Sequence, residues 1–163
     1  MHMRRTLLAL AATGLVACTG ASRAADYGGS TTTAADKLAP ARAQLAAKNY
    51  GGALAELRRV NDPQSADWTN LMGFALRKQA QPDLTAAERH YDEALRIDPR
   101  HKSALEYSGE LSLMKGDVAT AERRLATLET VCFVTCTEKR HLAKAIEAHK
   151  GKSTGTGNKA APS

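Results

Sequence analysis

The stretch Ala66-Asp67-Trp68-Thr69-Asn70-Leu71-Met72-Gly73-Phe74, followed by Ala87, Tyr91, Ala94-Leu95 and Asp98-Pro99, decides the fold. Its apolar and small residues recur at three- and four-residue steps, the period of a helix. Asp98-Pro99 ends the run, because the residue before a proline is pushed out of the helical region. Ala87 has counterparts thirty-four positions to either side, Ala53 and Ala121. Four places after each alanine come Leu57, Tyr91 and Leu125, one turn further along the same face. Gly73 and Gly109 on the preceding helices are expected opposite Ala87 and Ala121, where larger side chains would hold the two helices of a unit apart.

These residues resemble the tetratricopeptide repeat (TPR), a helix–turn–helix unit of about thirty-four residues. The resemblance implies an all-α fold, a right-handed superhelical stack of about three TPR units closed by a C-terminal capping helix. The domain would cover 34–149, with units at about 34–65, 66–99 and 100–133 and the cap helix at 136–149.

In the first unit, a helix over about 34–48 carries Leu38 and Leu45, with Pro40 tolerated near its start. Its partner over 51–60 buries Leu54 and Leu57. The second unit pairs 66–79 with a helix starting near Thr85, where Leu84-Thr85-Ala86-Ala87-Glu88 supplies a capping box. The third pairs 102–115 with 118–130 across Gly116-Asp117, a glycine suited to the left-handed conformation followed by a capping aspartate. Gly73 and Ala87 are fourteen apart, whereas Gly109 and Ala121 are twelve apart, so the middle turn should bulge around 79–83. A last helix is opened by the capping box Thr135-Cys136-Thr137-Glu138. It sets Leu142, Ala145, Ile146 and His149 on one face and covers the end of the stack.

Both ends differ in composition. Arg4 and Arg5, an apolar run over 6–16 and the small residues after it form the three-part pattern of a secretory signal peptide, too short to span a bilayer as a mature helix. Two processing routes are open. Cleavage after Ser22-Arg23-Ala24 makes 1–24 the signal and Ala25 the mature start. Alternatively, Leu15-Val16-Ala17-Cys18 resembles a lipobox, in which Cys18 is acylated and the signal is 1–17. The segment 25–33, rich in Gly, Ser and Thr, reads as a flexible linker and 150–163 as a disordered tail. The implied location is periplasmic or exported, with membrane anchoring if Cys18 carries lipid.

The formal charge of +6 falls to +3 once Arg4, Arg5 and Arg23 leave with the signal, twenty basic against seventeen acidic residues remaining. These charges are interspersed along helices and aromatics make up only 4% of the chain, so neither a phosphate-binding surface nor a stacking platform for nucleic acid is present. Gly151-Lys152-Ser153 lacks the glycine a phosphate loop needs five places earlier, where Ile146 stands. No glycine-flanked serine forms a nucleophile elbow and no histidine has a matched partner in sequence, so no enzyme and no cofactor are implied. His90 and His101 read as surface residues near helix ends.

With Cys18 cleaved off or acylated, Cys132 and Cys136 remain. One helical turn brings their α-carbons into disulfide range, in a compartment where such a bridge persists. The alternatives are a thiol-redox role and a copper site made of Cys132, Cys136 and His141, residue types that suit that metal.

The TPR resemblance implies a protein–protein interaction scaffold that holds a peptide or protein on the concave surface of its first helices. Those helices would present Arg42, Leu45, Asp67, Asn70, Phe74, Arg77, Lys78, Glu106, Glu110 and Leu113. The family's clamp for C-terminal carboxylates needs asparagines at a position held here by Ala39, Leu71 and Tyr107, which argues against that ligand class. The chain also resembles small exported bacterial repeat proteins that end in Cys-x-x-x-Cys and a cap helix. A monomer is the expected state, with any membrane contact made through Cys18.

Overall fold

A computed structural model describes residues 36–134 and 136–155, the side chains of 153–155 excepted. The signal, Cys18, the linker, Thr135 and the tail from 156 onward lie outside these residues. Among the described residues there are seven helices and no strand. The fold is the expected all-α superhelical stack of three helix–turn–helix units with a further helix over its end.

The helix α1 (Ala39–Ala46) starts later than the apolar pattern suggested. Pro40 sits in its first turn, where a missing N–H is harmless, and Asp36 bends the chain before it by accepting from the Leu38 N–H at 2.9 Å. After α1 the chain turns through Lys48 at φ 57°, and Asn49 caps α2 (Tyr50–Val60) by accepting from the Gly52 N–H at 3.0 Å. Ser65 caps α3 (Ala66–Lys78) and Asp83 caps α4 (Leu84–Ile97), its carboxylate accepting from the Ala86 N–H at 2.9 Å. The expected Thr85 box is therefore replaced by Asp83, whose charge adds to the cap by facing the positive end of the helix. In α5 (Lys102–Met114) the capping group is the His101 ring. The turn to α6 (Val118–Val131) follows the predicted chemistry, with Gly116 at φ 80° and Asp117 accepting from the Thr120 N–H.

The seventh helix, α7 (Thr137–Gly155), runs past 149, so residues 150–155 are helical where a disordered tail was expected. A single glycine, Gly151, costs a helix only about 1 kcal/mol and does not stop it. Lys150 adds a tie to Glu122 of α6 at 2.6 Å.

Gly73 has the close approach its position implied. A Cβ there would lie 2.8 Å from the Tyr91 ring and 3.1 Å from the Ala87 carbonyl oxygen. Gly109 departs from expectation, because its missing Cβ makes room for Leu142 of the cap helix at 2.7 Å and not for Ala121. The two main cores are a first one built on Leu54, Leu57, Trp68 and Leu71 and a second built on Leu105, Leu128, Leu142 and Ile146. The indole of Trp68 donates to the Leu57 carbonyl at 2.7 Å and so fastens the second unit to the first.

Candidate binding groove

The first helices of the units, α1, α3 and α5, carry the predicted binding residues, and the structure divides those residues into two groups. The first group ties units together. Arg42 donates to Asp67 at 3.1 Å, and the other Asp67 oxygen lies 2.9 Å from His101 Nε2. His101 Nδ1 accepts from the Ala104 N–H at 3.1 Å, and a backbone N–H can only donate. The proton of the neutral ring therefore sits on Nε2 and is given to Asp67. Burial alone would push the Asp67 carboxyl up, but the hydrogen bonds from His101 and Arg42 outweigh it and hold it below the usual aspartate range. One carboxylate thus links α1, α3 and the start of α5, and His101 is a connector, not the surface residue expected.

The second group would form the floor of the predicted groove. Asn70, Phe74 and Arg77 lie on one stripe of α3, at helical spacing. Phe74 is half-buried between Tyr107 of α5, ring centres 4.7 Å apart, and Tyr50 of α2 at 6.4 Å. Arg77 is only 4% exposed. Its guanidinium lies 5.8 Å from the Phe74 ring centre and 5.5 Å from that of Tyr107, and it donates to Glu110 at 2.8 Å. An exposed arginine was expected here, and the flanking rings instead enclose it. Lys78 stays at the surface with its ammonium 5.8 Å from Phe74.

Asn70 Oδ1, Arg77 Nε and the Tyr91 hydroxyl are buried in and beneath this cluster, with the hydroxyl against the Arg77 side chain and Asn70 Oδ1 without a partner. Burial pushes the Tyr91 hydroxyl well above the usual phenol range, so it stays protonated. Glu106, 5% exposed, is held by His141 of the cap helix at 3.0 Å. Its burial raises the carboxyl above the usual glutamate range despite that bond. Leu113 is buried and Leu45 packs against the first core, so neither is on the groove surface.

Cys132 and Cys136 form a disulfide with α-carbons 5.7 Å apart, buried in the second core. Both sulfurs are thereby bonded to each other and His141 is engaged by Glu106, so the copper set Cys132, Cys136 and His141 is not assembled. His90 is also structural, half-buried edge-on to Trp68 at 6.0 Å. Sequence reading missed Tyr50, Tyr107 and His101, and the recurrence of aromatics near each first helix was the available signal for the tyrosines.

No family model matches the chain, and no curated protein matches it either. Among solved structures it is similar to the type III secretion chaperone SycD of Yersinia enterocolitica in complex with a peptide of the translocator YopD, at 20% identity and a TM-score of 0.59. The match covers 72% of this chain and 92% of that one. The likeness is one of fold.

Proposed function

We propose that the chain is a non-catalytic scaffold of the bacterial cell envelope that holds an extended peptide or protein segment in the groove of its first helices. The observation that carries this is the floor itself. Half-exposed Phe74 and Tyr107 flank a buried guanidinium, a composition common where a few residues supply most of the binding energy. The Asn70 Oδ1 beside them is buried without a hydrogen-bond partner. The peptide held by the fold neighbour SycD agrees with such a use of the stack. The envelope location is supported by the signal-like residues 1–24 and by the disulfide, which persists in oxidising compartments. Processing at Cys18, with lipid as an anchor, belongs to the same proposal.

The test compares the wild-type chain with a Phe74→Ala, Lys78→Glu variant as bait in envelope extracts. Lys78→Glu leaves the Arg77–Glu110 pair in place, and Phe74→Ala removes one of the two rings over that guanidinium. A partner held by the wild type and lost by the variant, with the helical spectrum unchanged, supports the groove. Equal capture by both places the binding surface elsewhere.

A further inference from the structure

The loop closed by the disulfide carries two large apolar side chains that nothing covers. Phe133 is 89% and Val134 85% exposed, while Cys132 and Cys136 on either side are buried in the core beside Leu142. The bridge holds both ends of the loop down, so Phe133 and Val134 cannot withdraw into the protein. Adjacent apolar residues fixed in this way are a liability for a soluble surface unless they meet something. Because α5 and α6 are antiparallel neighbours and α7 follows directly, the loop shares one edge of the stack with the starts of α5 and α7.

That edge carries four cations. Arg100, Lys102, Lys139 and Arg140 take part in no ion pair among the described residues. Of the nearby carboxylates, Asp98 is turned onto the backbone N–H of Arg100 at 2.9 Å. Glu138 lies 3.4 Å from Cys136 Sγ and within electrostatic reach of Glu106 and Tyr107. Glu129 is exposed on this side, and Asp67, also exposed, is bound to His101 and Arg42.

We propose that the Phe133-Val134 tip is a wedge that enters the interface of an anionic lipid bilayer, with Arg100, Lys102, Lys139 and Arg140 meeting the headgroups. A convex tip of two side chains is too small for a stable contact between copies of the chain, which needs about 800 Å² from each partner. A bilayer needs no preformed socket, and it rewards an apolar tip rimmed by cations. The bridge fixes the loop beforehand, so little conformational freedom is lost on insertion. This contact is separate from any acyl chain at Cys18 and independent of the groove.

Flotation of the full chain with vesicles tests it. All proteins compared carry the same N-terminal segment, so differences report the loop. Wild type should float with vesicles containing an anionic lipid at least about tenfold better than a Phe133→Ser, Val134→Ser variant, and better than with neutral vesicles. A Phe133→Trp variant should show emission quenched by lipids brominated on their acyl chains. Equal flotation of wild type and the serine variant, or a Trp at 133 that such lipids do not quench, overturns the proposal, including the case in which the tip serves a protein socket.

Discussion

Gly73→Ala and Gly51→Ala make the same chemical change in two helices of one stack, and their effects should have opposite signs. In a helix, alanine is favoured over glycine by up to about 1 kcal/mol, less near an end. At Gly51, in the first turn of α2, nothing lies within 4 Å of the new methyl, so the gain is kept and should amount to about 0.5 kcal/mol. At Gly73 the methyl would lie 2.8 Å from the Tyr91 ring and 3.1 Å from the Ala87 carbonyl. Neither neighbour is the loose end of a flexible side chain. One is a fully buried ring and the other is backbone, so α3 and α4 must move apart. Because both neighbours are rigid, the upper part of the range for overpacking applies, about 2–3 kcal/mol, which leaves a net loss of about 1–2 kcal/mol after the helical gain. For a domain of this size the loss lowers the thermal midpoint by about 3–8 °C. Urea and thermal unfolding followed by far-UV circular dichroism would read both variants. A Gly73→Ala protein as stable as wild type would refute the view that close contact of α3 and α4 sets the spacing of the middle unit.

Replacing Cys132 and Cys136 by serine should lower the unfolding free energy by about 2 kcal/mol in the chain-entropy model, and hydrogen exchange should show α7 loosening before the first two units. The acid side of the stability curve carries opposite contributions from two carboxylates. Asp67 is held below its ordinary value of 3.8, so its stabilisation is present above that pH and is lost as pH falls through its folded value, and Asp67→Asn should flatten that fall. Glu106 is raised above 4.5, so its contribution is lost as pH rises through its folded value, and Glu106→Gln should remove that loss in titrations of unfolding free energy. Arg77→Ala should destabilise by about 1–3 kcal/mol by leaving Glu110 unpaired and the rings unsupported, whereas Lys78→Ala on the exposed side should stay within about 0.5 kcal/mol in the same denaturation assay.

The fold was legible because it rests on spacing. Ala53, Ala87 and Ala121 recur with the period of one unit, and Gly116-Asp117 carries the whole chemistry of its turn. What was not legible depends on which side chain reaches which across sequence distance. His101 caps its own helix and bonds Asp67 thirty-four residues away, and no local pattern marks a histidine for that role. Gly109 looked equivalent to Gly73, yet the residue it admits comes from α7, which has no counterpart in the earlier units. The cap of α4 was misplaced by two residues because Thr85 and Asp83 are both good caps, and only the path of the preceding loop selects between them. In the groove the residue types were found, but their exposure was not. Arg77 reads as a surface cation in a helix wheel and becomes buried only because Phe74 and Tyr107 close around it.

That closure bears on how the groove could bind. A buried polar atom left without a partner costs about 1–3 kcal/mol, and α3 carries Asn70 Oδ1 and Arg77 Nε about two turns apart, with the Tyr91 hydroxyl of α4 against the Arg77 side chain. The other polar groups of the first helices are satisfied, Asp67 by two partners and Glu106 by His141. Arg124 Nε, at the inter-unit pair with Asp92, is buried in the same way, so such atoms are not confined to the predicted groove. An arginine fixed between two rings and a carboxylate has already lost its side-chain freedom, so a ligand that meets it need not supply that ordering again. The same rigidity separates the two faces of Phe74. The side against Tyr107 belongs to the fold, and the side under Lys78 is the part a partner can reach, which is why Phe74 and Lys78 are the residues to alter when the groove is tested.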